Sequence, residues 1–157
     1  MILRSPDLSR PEQQLLIACA RTELERHMHR IEQLLAGEID WAYLIGMALR
    51  HGVGSLLHSA LECTQADAVP VEIRRGLAQH YRINRERTRI LVTALHEILG
   101  ALRTEGIEAL PFKGPALAAV AYGGVDLRLA GDLDLLLRET DVDAACAVLR
   151  GRGFRDI

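Results

Sequence analysis

The spacing of apolar residues changes at Gly106, and this change limits the possible folds more than any other feature of the sequence. From Pro70 to about Thr104 the apolar residues recur every three or four positions, which predicts one long helix. After Gly106 the apolar stretches IEALPF and LDLLL predict two strands, each followed by a helix. The sequence therefore predicts an α+β or α/β fold, with a helical subdomain over residues 1–104 and a partial β-α-β-α core over residues 105–157.

Three further helices are predicted before Pro70. The first begins at the capping-box pattern Ser9-Arg10-Pro11-Glu12 and ends at Gly37. The second is capped by Asp40 and ends at Gly52, and the third runs from about Ser55 to Glu62. The part of the chain before the change in spacing is therefore expected to be entirely helical.

The composition excludes several classes of protein. Hydrophobic residues make up 49% of the chain, which is enough to build a buried core. The net charge of −2 and the pI near 6.3 argue against a dedicated nucleic-acid-binding or polybasic membrane module. Three widely spaced cysteines without a CxxC motif favour reduced thiols in the cytoplasm. The start of the chain does not resemble a signal peptide, and no apolar run approaches the roughly 20 residues of a membrane helix, so no membrane partner is expected.

Asp132 and Asp134 stand at the start of the apolar LDLLL segment. Side chains two apart in a strand point to the same face, so both carboxylates are predicted to lie together, while Leu133, Leu135 and Leu137 fill the other face. Neighbouring carboxylates repel each other unless a cation lies between them, and Mg²⁺ prefers such oxygen ligands. Divalent ions held in this way promote phosphoryl and nucleotidyl transfer. The alternative is a polar strand end in which Asp132 caps a turn.

Lys113 and Gly114 follow the first predicted strand and precede a short helix over residues 115–122. A glycine at this position lets the backbone approach a phosphate, and the helix directs its positive end toward the anion. Pro115 suits the first turn of the helix but removes one N–H donor. Lys113 would neutralise phosphate charge, and Arg128 would clamp a triphosphate or order the aspartates. The alternatives are an exposed lysine at a turn and a solvated arginine in a loop.

These motifs together resemble a known family. They are Phe112-Lys113-Gly114-Pro115-Ala116-Leu117, Tyr122, Arg128 and Asp132-Leu133-Asp134-Leu135-Leu136-Leu137. Over about residues 35–157 the chain resembles the bacterial uncharacterised nucleotidyltransferase family, which is part of the DNA-polymerase-β-like nucleotidyltransferase superfamily.

The resemblance implies a function and a site. The function is Mg²⁺-dependent transfer of a nucleoside monophosphate from a nucleoside triphosphate (NTP) to an acceptor hydroxyl on a small molecule, a protein or tRNA. By the same resemblance, Asp132 and Asp134 are the catalytic and metal-binding residues. The resemblance also implies that Lys113 and Gly114 contact the nucleotide. Arg128 is predicted as a further nucleotide-binding residue from its position four residues before Asp132.

One part of the family's site is not identified in the sequence. These enzymes use a third carboxylate on a later strand, and only Asp156 and, more weakly, Glu108 are candidates. The chain is therefore expected to be the N-terminal portion of a longer enzyme or a shortened relative. The alternative function is a catalytically silent relative that binds a partner, or that forms a homodimer through an exposed sheet edge.

The segment Arg74–Arg89 holds six arginines and one acidic residue, Glu86. Such a helix could present an electropositive face to a nucleotide or to an RNA acceptor. The alternative is a solvated helix face, with the aliphatic parts of the arginines lying on the core.

Overall fold

The computed structural model describes residues 9–155 apart from Thr22. The helices are α1 (Pro11–Cys19), α2 (Met28–Leu35), α3 (Trp41–Arg50), α4 (Gly54–Glu62), α5 (Val71–Thr104), α6 (Gly114–Tyr122) and α7 (Val142–Gly151). The strands are β1 (Ala109–Phe112) and β2 (Asp134–Leu137). Short 3₁₀ turns cover Leu24–His27, Ala66–Ala68 and Glu139–Asp141. The mixed helical and strand fold predicted from the sequence is confirmed.

The described residues form two compact units. Those up to Asn84, together with Leu127–Leu129, form the first unit, and those from Arg85 to Asp126 and from Ala130 onward form the second. The long helix α5 contributes residues to both units. The domain boundary near residue 104 that the sequence predicts stays a prediction.

The first unit is built from helices packed around one apolar cluster. Its fully buried leucine and isoleucine side chains are Leu15, Ile31, Leu44, Leu57 and Leu61. The predicted cap of α3 is confirmed, because the Tyr43 backbone N–H donates to Asp40 Oδ1 at 3.0 Å. Gly52 follows α3 with φ at +68°, the left-handed conformation in which a glycine ends a helix.

The prediction of a single first helix ending at Gly37 was wrong. Helix α1 ends at Cys19 and α2 begins at Met28, and a 3₁₀ turn over Leu24–His27 precedes α2. The predicted capping box is also absent. Arg10 occupies the N-cap position without a side-chain cap, and the Glu12 carboxylate instead accepts a hydrogen bond from the Asp40 backbone N–H at 2.9 Å.

The second unit carries a two-stranded antiparallel sheet. The register pairs Ala109 with Leu137 at one end and Phe112 with Asp134 at the other. As predicted, Leu133, Leu135 and Leu137 pack inward, against a cluster formed by Ile98, Leu102, Ile107 and Ala145. The antiparallel pairing and the one-sided helical cover define the fold as α+β.

The predicted start of a third strand at residues 154–157 is not found in the part of it that the structure describes. Phe154 and Arg155 have no strand conformation, and the remaining two residues lie outside the described range.

Candidate functional site

The turn between β1 and α6 has a strained backbone at Lys113. Lys113 has φ 60° and ψ −153°, and it is the one non-glycine residue with positive φ in the described part of the chain. This region of backbone space is populated almost only by glycine and costs a residue such as lysine about 1–3 kcal/mol. The Lys113 carbonyl accepts a hydrogen bond from the Leu117 N–H at 2.9 Å, which secures the first turn of α6. Backbone strain that the fold maintains in this way is typical of functional sites.

Gly114 brings the Lys-Gly turn against the aspartate segment. It is buried and has φ +46°, and a β-carbon placed on it would lie 3.1 Å from the Asp132 carbonyl oxygen. This distance is closer than most β-carbons approach, so a side chain at this position would require the neighbouring backbone to shift by a few tenths of an ångström. Two motifs that are separated by 17 residues in the sequence therefore meet in the fold.

The two aspartates differ in their backbone positions. Asp132 is exposed and lies in a bend before β2, whereas Asp134 is half-buried and is the first residue of that strand. The alternation that was expected to place both carboxylates on one strand face therefore does not apply to Asp132. Within the residues that the structure describes, neither carboxylate has a hydrogen-bond or ion-pair partner.

The Lys113 side chain lies next to the strand pair that carries Asp134. Its Nζ is 5.2 Å from the centroid of the Phe112 ring, and Phe112 is the residue that faces Asp134 across the sheet. A cation over an exposed aromatic ring gains about 0.5–1 kcal/mol. The ammonium group is therefore held at the same end of the sheet as the carboxylates.

The predicted nucleotide-binding residue Arg128 belongs to the first unit. It is half-buried within Leu127–Leu129, and its neighbour Leu129 lies beside the Gly52 turn, 3.9 Å from where a β-carbon on Gly52 would be. A role for Arg128 at the site stays a prediction.

Glu108 does not complete the site as a third carboxylate. It forms an exposed ion pair with Arg138, with 2.6 Å between Glu108 Oε2 and Arg138 Nη2. This pair lies next to Ala109 and Leu137, at the end of the sheet opposite to Asp134. Asp156, the other candidate, lies outside the described residues.

The oxygen donors at this end of the sheet fit a magnesium ion whose remaining coordination positions are filled by water and by a bound ligand. Within the described residues, no group of three His, Cys, Asp or Glu side chains could hold a metal. Mg²⁺ bound in nucleotide-processing sites commonly uses one or two carboxylates and takes its remaining oxygens from water and phosphate. Asp132 and Asp134 could supply such a pair, since no cationic side chain of the described chain competes for them.

A cavity of about 910 Å³ lies at the other end of the sheet. Its polar lining includes His96, Arg103, Glu108 and Arg138. Although the cavity is large, the charges of Glu108 and Arg138 neutralise each other. Unpaired carboxylates and a strained turn are found instead at the Phe112–Asp134 end. We therefore assign the candidate site to that end.

Two arginines of the basic segment make local contacts. The Arg74 guanidinium donates to the Leu61 carbonyl at 2.9 Å, to the Gln65 carbonyl at 2.7 Å and to Thr64 Oγ1 at 3.1 Å, and so secures the end of α4. Arg89 forms an ion pair with Glu86 one helical turn away. An electropositive face for RNA or nucleotide stays a prediction for the remaining arginines.

A strand, a glycine turn, a helix and an Asp-x-Asp segment against that turn form an arrangement suited to nucleotidyl transfer. The chain belongs to the uncharacterised nucleotidyltransferase family, whose model matches residues 37–156, more than three quarters of the sequence. The family resemblance read from the motifs is thereby confirmed. Neither a curated protein nor a solved structure gives a match. Among the described helices, α5 included, none combines the length and apolar character needed to cross a bilayer.

Proposed function

We propose that the protein is a Mg²⁺-dependent nucleotidyltransferase that transfers a nucleoside monophosphate from an NTP to an acceptor hydroxyl. The approach of Gly114 to the Asp132 carbonyl is the observation that carries this proposal. It joins the Lys-Gly turn and the Asp-x-Asp segment at one end of the sheet, and both motifs lie within the region that the family model matches.

In the proposed site, Asp132 and Asp134 hold Mg²⁺. When bound, the ion would neutralise and orient the phosphate oxygens. Lys113 would add positive charge beside the triphosphate, and the backbone at Gly114 would contact a phosphate at the first turn of α6. A nucleotide-binding role for Arg128 stays a prediction from the sequence.

The reaction joins the acceptor oxygen to the α-phosphorus and breaks the bond from that phosphorus to the bridging oxygen, so that pyrophosphate leaves. A base must accept the proton of the acceptor hydroxyl. Glu108 is unsuited to this role because its carboxylate is paired with Arg138 at the other end of the sheet. Asp156 stays the candidate for the base.

Isothermal titration with each of the four Mg-NTP complexes tests the proposal. We expect the wild-type chain to bind at least one of them, and to lose that binding when EDTA removes the metal. Asp132→Asn should abolish the metal-dependent part of binding. The matched control Asp143→Asn, which changes an exposed acid in the first turn of α7, should leave it unchanged. Equal binding by the wild type and Asp132→Asn would remove the proposal.

A second candidate is a silent relative that forms a homodimer or binds another partner. It is favoured by the outer face of the sheet, where Leu110, Phe112 and Leu136 are 62%, 54% and 61% exposed. In the described residues the sheet has only two strands, so each strand has an unpaired edge. Light scattering on the eluting chain should then report a dimer that Leu136→Lys dissociates. A monomer at every concentration would exclude the dimeric form of this candidate.

A further inference from the structure

We infer that Gly114 is a positioning residue for Asp132, in addition to any contact that its backbone makes with phosphate. The inference rests on the proposed function, because it concerns how the metal ligand Asp132 is held. Its subject is a contact within the chain, between the start of α6 and the carbonyl oxygen of Asp132.

The contact leaves little freedom for a side chain. A β-carbon on Gly114 would meet the Asp132 carbonyl oxygen at 3.1 Å, so the neighbouring atoms would have to shift by a few tenths of an ångström. The atom it meets belongs to the backbone, so no change of side-chain rotamer relieves the contact. Either the start of α6 or the backbone at Asp132 must move.

The two sides of the contact are held differently. At the start of α6, Gly114 and Pro115 are buried, and Ala118 one turn later has no exposed surface. Asp132 is exposed and lies in a bend outside β2. The packed helix resists displacement more than the bend, so an added side chain at Gly114 would displace Asp132.

The affinity for Mg²⁺ should depend more strongly on the position of Asp132 than the affinity for Ca²⁺. Mg²⁺ requires near-ideal octahedral geometry with oxygens at about 2.0–2.1 Å, whereas Ca²⁺ accepts irregular geometry at about 2.3–2.6 Å. Displacement of Asp132 should therefore lower the affinity for Mg²⁺ more than the affinity for Ca²⁺. A general loss of structure would weaken both ions alike, so the ratio of their affinities reports positioning specifically.

The chain supplies two matched controls. Gly123 follows α6 with φ +69°, and a β-carbon added to it would have no atom within 4 Å, so Gly123→Ala introduces left-handed strain without a steric contact. Gly131 precedes Asp132, has open space and lies outside the left-handed region, so Gly131→Ala introduces neither. Gly114→Ala introduces both.

Titration of ¹⁵N-labelled chain with Mg²⁺ alone and with Ca²⁺ alone, followed at the amides of residues 132–134, tests the inference. We expect Gly114→Ala to weaken Mg²⁺ binding roughly three- to tenfold, because Mg²⁺ tolerates little departure from octahedral geometry. Its Ca²⁺ affinity should change less than twofold, and both controls should keep the wild-type ratio. If Gly114→Ala does not fold, Gly114→Asn serves instead, with Gly123→Asn as its control, because Asn tolerates positive φ.

The outcomes separate this inference from the proposed function. If the wild-type chain shows no ion-dependent shifts at residues 132–134, both the inference and the proposed magnesium site are wrong. If the wild type binds Mg²⁺ and the Gly114 variants keep the wild-type ratio of Mg²⁺ affinity to Ca²⁺ affinity, the inference alone is wrong. A selective loss of Mg²⁺ affinity in the Gly114 variants, absent from the controls, supports the inference.

Discussion

The two units of the molecule use their charged side chains differently. In the first unit, Asp40 accepts the Tyr43 N–H and the Glu12 carboxylate accepts the Asp40 N–H. Arg74 donates to the Leu61 carbonyl at the end of α4. These charged groups hydrogen-bond to backbone donors and acceptors at helix ends, and so they serve the stability of the fold.

In the second unit, the candidate site leaves its charges available. Asp132 and Asp134 have no partner within the described residues, and Lys113 keeps a strained backbone. Backbone strain lowers stability, so it is expected where it serves binding or catalysis. The difference indicates that substitutions of the helix-end charges in the first unit should affect folding, whereas substitutions of the charges at the candidate site should affect ligand binding.

The largest expected effect is on the free energy of unfolding, which should fall far more for a buried leucine of the first unit than for an exposed leucine of the second. Leu57→Ala in the first unit should lower the free energy of unfolding by about 2–5 kcal/mol, because the side chain is fully buried and the change leaves a cavity. Leu136→Ala on the outer sheet face should lower it by less than about 0.5 kcal/mol. Urea denaturation measures both, and similar losses would mean that the outer face of the sheet is covered in solution.

Part of the loss of stability at alkaline pH should trace to Cys19 in the first unit. Burial raises the pKa of this thiol from 9.0 to about 12, so the folded chain keeps the proton after the unfolded chain has lost it. This contribution is present below pH 9 and is lost as the pH rises from 9 toward 12, by about 1 kcal/mol per pH unit. Cys19→Ala should flatten the decline in unfolding free energy between about pH 9 and 10.5. An unchanged slope would show that the thiol is accessible.

Removal of a carboxylate should lower stability in the first unit and Mg²⁺ affinity in the second. Asp40→Ala removes the cap of α3 and should cost about 1 kcal/mol of stability, without an effect on Mg²⁺ affinity. Asp132→Ala removes an unpaired carboxylate and should leave stability almost unchanged, while Mg²⁺ binding is lost. Thermal unfolding and metal titration of both variants measure this contrast, and a clear destabilisation by Asp132→Ala would break it.

The smallest effect concerns the strain at Lys113. Lys113→Met keeps the strain but loses the contact of the ammonium group with the Phe112 ring, so it should lower the unfolding free energy by up to about 0.5–1 kcal/mol. Relative to Lys113→Met, Lys113→Gly should raise the unfolding free energy by about 0.5–1 kcal/mol, because relief of strain exceeds the added flexibility of the unfolded chain. Both variants lack the ammonium group and should weaken NTP binding alike. A gain in stability with Lys113→Met alone would indicate that the side chain, and not the backbone, is strained.

Much of the fold was predictable from local patterns. The α3 cap at Asp40, the long helix from Val71 to Thr104 and the inward leucines of β2 follow from capping chemistry and from apolar spacing. The capping box at the first helix was mispredicted because Glu12 bonds to the start of α3, a contact between segments that no local pattern contains.

The candidate site was predictable in its residues but not in its geometry. The Lys-Gly and Asp-x-Asp motifs are visible in the sequence, and their family is confirmed. The contact of Gly114 with the Asp132 carbonyl and the positive φ of Lys113 depend on how the strands and α6 pack. Lysine normally avoids that conformation, so its presence there gave no sequence signal.

The most direct test of the central claim is paramagnetic broadening of amide signals by Mn²⁺ in the presence of an NTP. If Asp132 and Asp134 hold the ion beside the Lys-Gly turn, the amides of Gly114 and Leu133 should broaden first. Those of Glu108 and Arg138, about 13 Å from the Phe112–Asp134 pair along the strands, should broaden only at higher Mn²⁺. Asp132→Asn should remove the early broadening. Broadening centred on the Glu108–Arg138 end, or unchanged by Asp132→Asn, would contradict the account.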